Sequence, residues 1–84
     1  MIQKGSCKIL KYLLDQVLSL GNLSDELHIN LKTLPDELDF ENEKYFHVCY
    51  QYIAEHGYIL IIDNEENGAC VRLTISGIDF LESH

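Results

Sequence analysis

At Gly57 the apolar residues stop recurring at helical spacing and crowd together as in a strand, and that switch limits the folds open to this chain. Before it, Leu10, Leu13, Leu14, Val17 and Leu18 recur at i, i+3, i+4, i+7 and i+8, the spacing of one helix face. Lys8, Lys11, Asp15 and Ser19 fall opposite. The pattern predicts a helix from Lys4 to Leu20, ended by Gly21-Asn22, where glycine accepts the left-handed C-terminal conformation. A second helix is expected from Glu41 to His56, capped by Asp39 or Asn42. Phe46, Cys49, Tyr50 and Ile53 form its main apolar stripe, and Tyr45, Val48 and Tyr52 an adjacent one. Lys44, His47, Gln51 and Glu55 face solvent.

After Gly57 come a β-rich run, Tyr58 to Ile62, a turn over Asp63 to Gly68, and a second strand, Ala69 to Leu73. Asn67-Gly68 is a hairpin signal, here in a loop read as longer than two residues. Thr74 then caps a short helix, Ile75 to Glu82, which turns Ile78 and Leu81 inward while Phe80 closes the core. Between the two long helices, Ser24 followed by Asp25-Glu26 has the form of an N-cap with acids in the first turn, predicting a short helix to about Ile29. Thr33-Leu34-Pro35-Asp36-Glu37 offers another start, with Pro in the first turn.

These elements fit one α+β domain over residues 1–84: three N-terminal helices, a two-stranded hairpin and a short C-terminal helix. A chain of this size buries roughly 60 to 65 per cent of its unfolded surface, and a 46% apolar content is enough for one core. No apolar run approaches the ~18 residues of a membrane span. Met1 to Gln16 lacks the apolar block of a signal peptide. Cys7, Cys49 and Cys70 are odd in number, far apart and without a CxxC pair, so they read as reduced core thiols rather than a disulfide frame or zinc site. A cytoplasmic protein without membrane partners is expected.

Chemistry-bearing patterns are not found. His28, His47, His56 and His84 show no HxxxH or HExxH spacing. Cys49 follows His47 closely but lies about 200° around the helix from it. The acidic pairs occur as surface runs, and the glycines are isolated. The chain is expected to be no enzyme, with no catalytic residue, metal or cofactor.

Two stretches carry a family likeness. Tyr52-Ile53-Ala54-Glu55-His56-Gly57-Tyr58-Ile59 resembles the xLxxxGYI end of a winged-helix third helix entering the wing. Val71 to Glu82 (VRLTISGIDFLE) resembles the xxLTxxGxxFLE segment that closes the wing and starts a C-terminal helix. Together they resemble small winged-helix proteins of Gram-positive bacteria and their phages, the YjcQ-like and related families. The likeness covers Tyr45 to Glu82. It implies a winged-helix fold, and motifs of turning, capping and packing rather than catalysis.

Many winged-helix proteins place the third helix in the DNA major groove and the wing on phosphate. That would aim Glu41, Lys44, His47, Gln51 and Glu55 at the groove, and Asp63, Asn64, Glu65, Glu66 and Asn67 at the backbone. Phosphate contacts come chiefly from Lys and Arg, yet the net charge is −8, with fourteen acids and six bases. Seven of those acids lie between Asp25 and Glu43, against Lys32 alone. The expected activity is therefore non-catalytic protein–protein contact: a phage- or prophage-type regulator or inhibitor of a basic, nucleic-acid-handling protein. Its candidate partner-binding residues are Tyr45, His47, Gln51, Tyr52, Glu55, Asp63, Glu65 and Glu66. The tyrosines have a second reading, as core. The alternative is a dimeric DNA-binding transcriptional regulator using Lys4, Lys8, Lys11 and Lys44. Ile9 and Tyr12 widen the apolar arc of the first helix, which fits a homodimer.

Overall fold

A computed structural model describing residues 1–84 places seven elements in the order α1 (Ile2–Leu20), β1 (Leu27–Asn30), α2 (Leu34–Glu37), α3 (Glu43–Glu55), β2 (Ile59–Glu65), β3 (Gly68–Leu73) and α4 (Ile75–Glu82). The strands form one antiparallel sheet in the order β1-β3-β2. The architecture is α+β, four helices with a three-stranded sheet. Its core joins Ile9, Leu10 and Leu13 of α1 to Phe46, Cys49 and Ile53 of α3 and to Ile59, Val71 and Leu73 of the sheet. No helix is long and apolar enough to cross a membrane.

The expectations for α1 and α3 hold in place and need correction in rotation. Gly21 ends α1 at φ 76°, its N–H bonded to the Val17 carbonyl. The buried face of α1 is Gly5, Ser6, Ile9, Leu10, Leu13 and Val17, whereas Leu18 is 69% exposed and Leu14 only half-buried. Close approach of α3 sets this rotation. A Cβ on Gly5 would lie 2.5 Å from Cys49 Sγ, so α1 turns its smallest residues toward α3. Asn42, not Asp39, caps α3, its Oδ1 accepting from Tyr45 N at 2.8 Å. Asp39 instead takes a left-handed φ of 58° just past α2. Val48, expected on an apolar stripe, is exposed.

The short helix expected from Ser24 to Ile29 is not formed; Leu27–Asn30 is a strand. Leu27 and Ile29 are buried while His28 and Asn30 are exposed, a period of two that fits a half-buried strand. Asn22, rather than Ser24, organises the preceding turn, its Oδ1 accepting from Ser24 N at 2.9 Å. Pairing with β3 (Leu27 opposite Val71, Ile29 opposite Ala69) supplies the hydrogen bonds a helix would have made internally. The hairpin thus belongs to a three-stranded sheet, not a two-stranded one.

The hairpin loop is also shorter than expected. Asp63, Asn64 and Glu65 are strand residues, Glu65 pairs with Gly68, and Glu66-Asn67 alone makes the turn. Neither turn residue has positive φ, nor does Gly68, so the turn does not call for glycine at 68. A Cβ there would lie 1.8 Å from the Ile29 carbonyl oxygen: glycine lets β1 close on β3. Ile62 is passed over in the register, Ile61 pairing with Val71 and Asp63 with Cys70. This bulge resets the alternation. Without it Asp63 would share the core-side face of Ile59 and Ile61; with it Asp63 and Glu65 join the outer face. At the hairpin's base Thr74 Oγ1 accepts from Gly77 N at 3.0 Å and donates to the Gly57 carbonyl at 2.7 Å, fixing α4 to the start of β2.

Candidate partner-binding surface

The first half of α3 and the hairpin tip face one another across a depression of about 380 Å³. Glu43 and His47 line it from α3, Glu65, Glu66, Asn67 and Gly68 from the hairpin, and Leu31 and Lys32 from the chain after β1. Three carboxylates thus meet one ammonium and one imidazole on the exposed side of the fold. The neighbouring outer face of the sheet is acidic as well. Asp63, Cys70 and His28 lie in one cross-strand row. His28 Nδ1 is 2.7 Å from Glu65 Oε2, both side chains partly exposed, a pair of small energetic consequence. The Cys70 thiol donates to Glu26 Oε1 at 3.6 Å. Burial first, and then the charges of Glu26, Glu65 and Asp63, push that thiol above its ordinary range. This is the reverse of what activates a cysteine nucleophile. No three His, Cys, Asp or Glu side chains converge in a geometry that holds a metal ion.

Of the residues singled out in the sequence, His47, Glu65 and Glu66 are brought together here. Asp63 stands apart on the outer face. Gln51 and Glu55 are exposed further along α3. The two tyrosines go elsewhere. Tyr45 is half-buried, its ring 5.3 Å from that of Phe40, and its hydroxyl donates to the Met1 carbonyl. Tyr52 joins a ring cluster, with centroids 4.4 Å from His56, 6.4 Å from Tyr58 and 6.3 Å from Phe80. Both serve chiefly in packing the ends of α3. Leu31, Lys32 and Glu43 were missed as site residues. Nothing local in the sequence ties Lys32 to Glu66; the pairing of β1 with β3 brings them together.

The lysines are less free than their spacing on α1 implies. Lys8 Nζ donates to the Asp39 carbonyl at 3.2 Å and sits 5.2 Å from the centre of the Phe40 ring. Lys11 pairs with Asp15 at 2.7 Å. Lys4 borders a cavity of about 330 Å³ shared with Asp39 and Glu41. Lys44 is exposed. No protein-family model, curated protein or solved structure matches the chain.

Proposed function

We propose that this chain is a winged-helix domain that acts without catalysis, holding a basic protein segment on its acidic face as a phage- or prophage-type regulator of a nucleic-acid-handling protein. The observation that carries the reading is the meeting of Glu43, Glu65 and Glu66 between α3 and the hairpin tip, where a winged helix would meet DNA. A surface of that sign repels phosphate and attracts a cationic protein. The element order expected from the sequence, three helices, a hairpin and a C-terminal helix, supports the reading, with β1 lying between α1 and α2. Acids set among the lysines of α1, Asp15 beside Lys11 and Asp39 and Glu41 beside Lys4, weigh against the alternative, a dimeric DNA-binding regulator working through α1.

The test is a titration at low salt against two probes, poly-lysine and random-sequence duplex DNA. E43Q/E65Q/E66Q removes three carboxylates and takes the net charge from −8 to −5. E37Q/D79N/E82Q makes the same charge change at exposed positions elsewhere. Poly-lysine should bind the native chain, and the first variant should bind it more weakly than the second. Equal weakening by both variants would mean that net charge, not this surface, attracts the polymer. Salt-sensitive DNA binding would return the lead to the DNA regulator.

A further inference from the structure

The sheet has one apolar free edge. β2 is an outer strand, and Leu60, Ile61 and Ile62 stand along it at 46%, 41% and 47% exposure. An outer strand offers unpaired N–H and C=O groups, which natural proteins usually shield with charge or irregularity. Here the bulge at Ile62 interrupts the strand but leaves the aliphatic run exposed, and the charges placed beyond it are all acidic: Asp63, Glu65 and Glu66. β2 carries no Lys or Arg. The opposite edge, β1, differs. Its apolar residues Leu27 and Ile29 are buried, and it shows His28 and Asn30 to solvent.

Resting on the acidic-face reading above, we propose that β2 receives an extended segment of a basic partner protein as a fourth strand. Main-chain hydrogen bonds would supply adhesion and alternate side chains specificity, as in other strand-addition complexes. The bulge at Ile62 defines what such a segment looks like. It puts Leu60, Asp63 and Glu65 on one face of β2, opposite Arg72, Cys70 and Gly68 of β3. The complementary strand therefore carries Lys or Arg against Asp63 and Glu65 on one face, the apolar stem of the next such residue lying along Leu60, and aliphatic residues on the other face, beside Ile61. A second copy of this chain does not meet that description. Its β2 brings more carboxylates and no base, on a molecule of net charge −8, so self-pairing gathers like charge. A helix does not meet it either, because its backbone groups are already satisfied internally and leave the edge of β2 unpaired.

The experiment uses a fluorescein-labelled peptide of about eight residues, a usual strand length, alternating Lys and Val, with two N-methylated forms. One is methylated at every Lys amide, the other at every Val amide. Successive amides of a strand point to opposite edges, so only one form loses the donors that face β2. The expected result is micromolar-range binding of the parent and of one methylated form, with a loss of about tenfold or more in the other. Backbone amide shifts and slowed hydrogen exchange should fall on Ile59–Glu65. L60K and D63N/E65Q, all at exposed positions, should each weaken the parent peptide, with folding checked by circular dichroism. Equal binding of all three peptides would overturn strand addition and leave charge attraction standing. Failure of all three while poly-lysine binds would overturn strand addition alone. Failure of poly-lysine as well would remove both readings.

Discussion

Replacing Gly77 with Ala opposes two effects whose magnitudes can be compared. Gly77 lies inside α4, where Ala is favoured over Gly by about 1 kcal/mol. On helix propensity alone G77A stabilises. The tertiary structure reverses the sign. A Cβ at position 77 would lie 2.2 Å from the Tyr58 carbonyl oxygen and 3.2 Å from Leu73 Cδ1. Normal carbon–oxygen contact is about 3.3 Å, so α4 and the start of β2 must separate by roughly 1 Å. That carbonyl also accepts from Thr74 N at 3.2 Å, and the adjacent Gly57 carbonyl accepts from Thr74 Oγ1 at 2.7 Å. Overpacking costs about 1–3 kcal/mol, and each weakened hydrogen bond about 0.5–1.5 kcal/mol. After the propensity gain of about 1 kcal/mol, G77A should destabilise by about 1–5 kcal/mol, lowering Tm by roughly 5 to 40 °C for a domain of this size. Thermal unfolding followed by circular dichroism measures it. S76A, at the exposed neighbouring position, should stay within about 0.5 kcal/mol of the native chain. A G77A protein with a Tm equal to or above the native value would refute the close approach of α4 to Tyr58.

Four further outcomes follow from local geometry. T74A removes both the α4 cap and the tie to Gly57 and should cost about 1–2 kcal/mol in urea unfolding. Tyr50 is 8% exposed and its hydroxyl has no partner, so Y50F should leave stability unchanged or raise it by about 1 kcal/mol, whereas Y45F loses the bond to Met1 and should lower it by a similar amount. K8A, which gives up the Asp39 carbonyl and the Phe40 ring, should destabilise by about 0.5–1 kcal/mol, and K11A, which breaks only an exposed i,i+4 pair, by less than about 0.5 kcal/mol; an inverted order would undo the structural role given to Lys8. Burial raises the Cys49 thiol, and burial with Glu26, Glu65 and Asp63 raises that of Cys70, from an ordinary 9.0. The folded chain then keeps thiol protons that the unfolded chain has released, so their stabilising effect is full below pH 9 and is lost as pH rises through the folded values. Tm should fall above pH 9, and less steeply in C70A; a C70A curve of unchanged steepness would mean that neither burial nor the acidic outer face raises this thiol.

Much of the architecture was legible from local pattern. The apolar spacing in α1 and α3, the glycines after them, the capping threonine of α4 and the β-rich run after Gly57 each act over a turn or two of chain. The locations of these elements could therefore be read one at a time. Rotation could not, because periodicity admits several neighbouring faces. Leu18 was placed inward by its spacing, and the proximity of α3 to Gly5 turned it outward. The candidate surface was legible as residue types rather than as a place. The acids of the hairpin were visible in the sequence, but their meeting with Glu43, His47 and Lys32 depends on packing between distant segments.

By itself the sequence determined the helices, the hairpin, the capping of α4 and the acidic character of the chain, because propensity, capping and charge are local or additive. The tertiary structure alone decided that Leu27–Asn30 is a strand, that the hairpin turns over two residues, and that a bulge at Ile62 moves Asp63 and Glu65 to the outer face. The strand depends on hydrogen bonds to residues far along the chain, and the turn and the bulge on the register in which β2 meets β3. A short segment such as Leu27–Asn30 lacks the length to choose its conformation alone; the free edge of β3 chooses it.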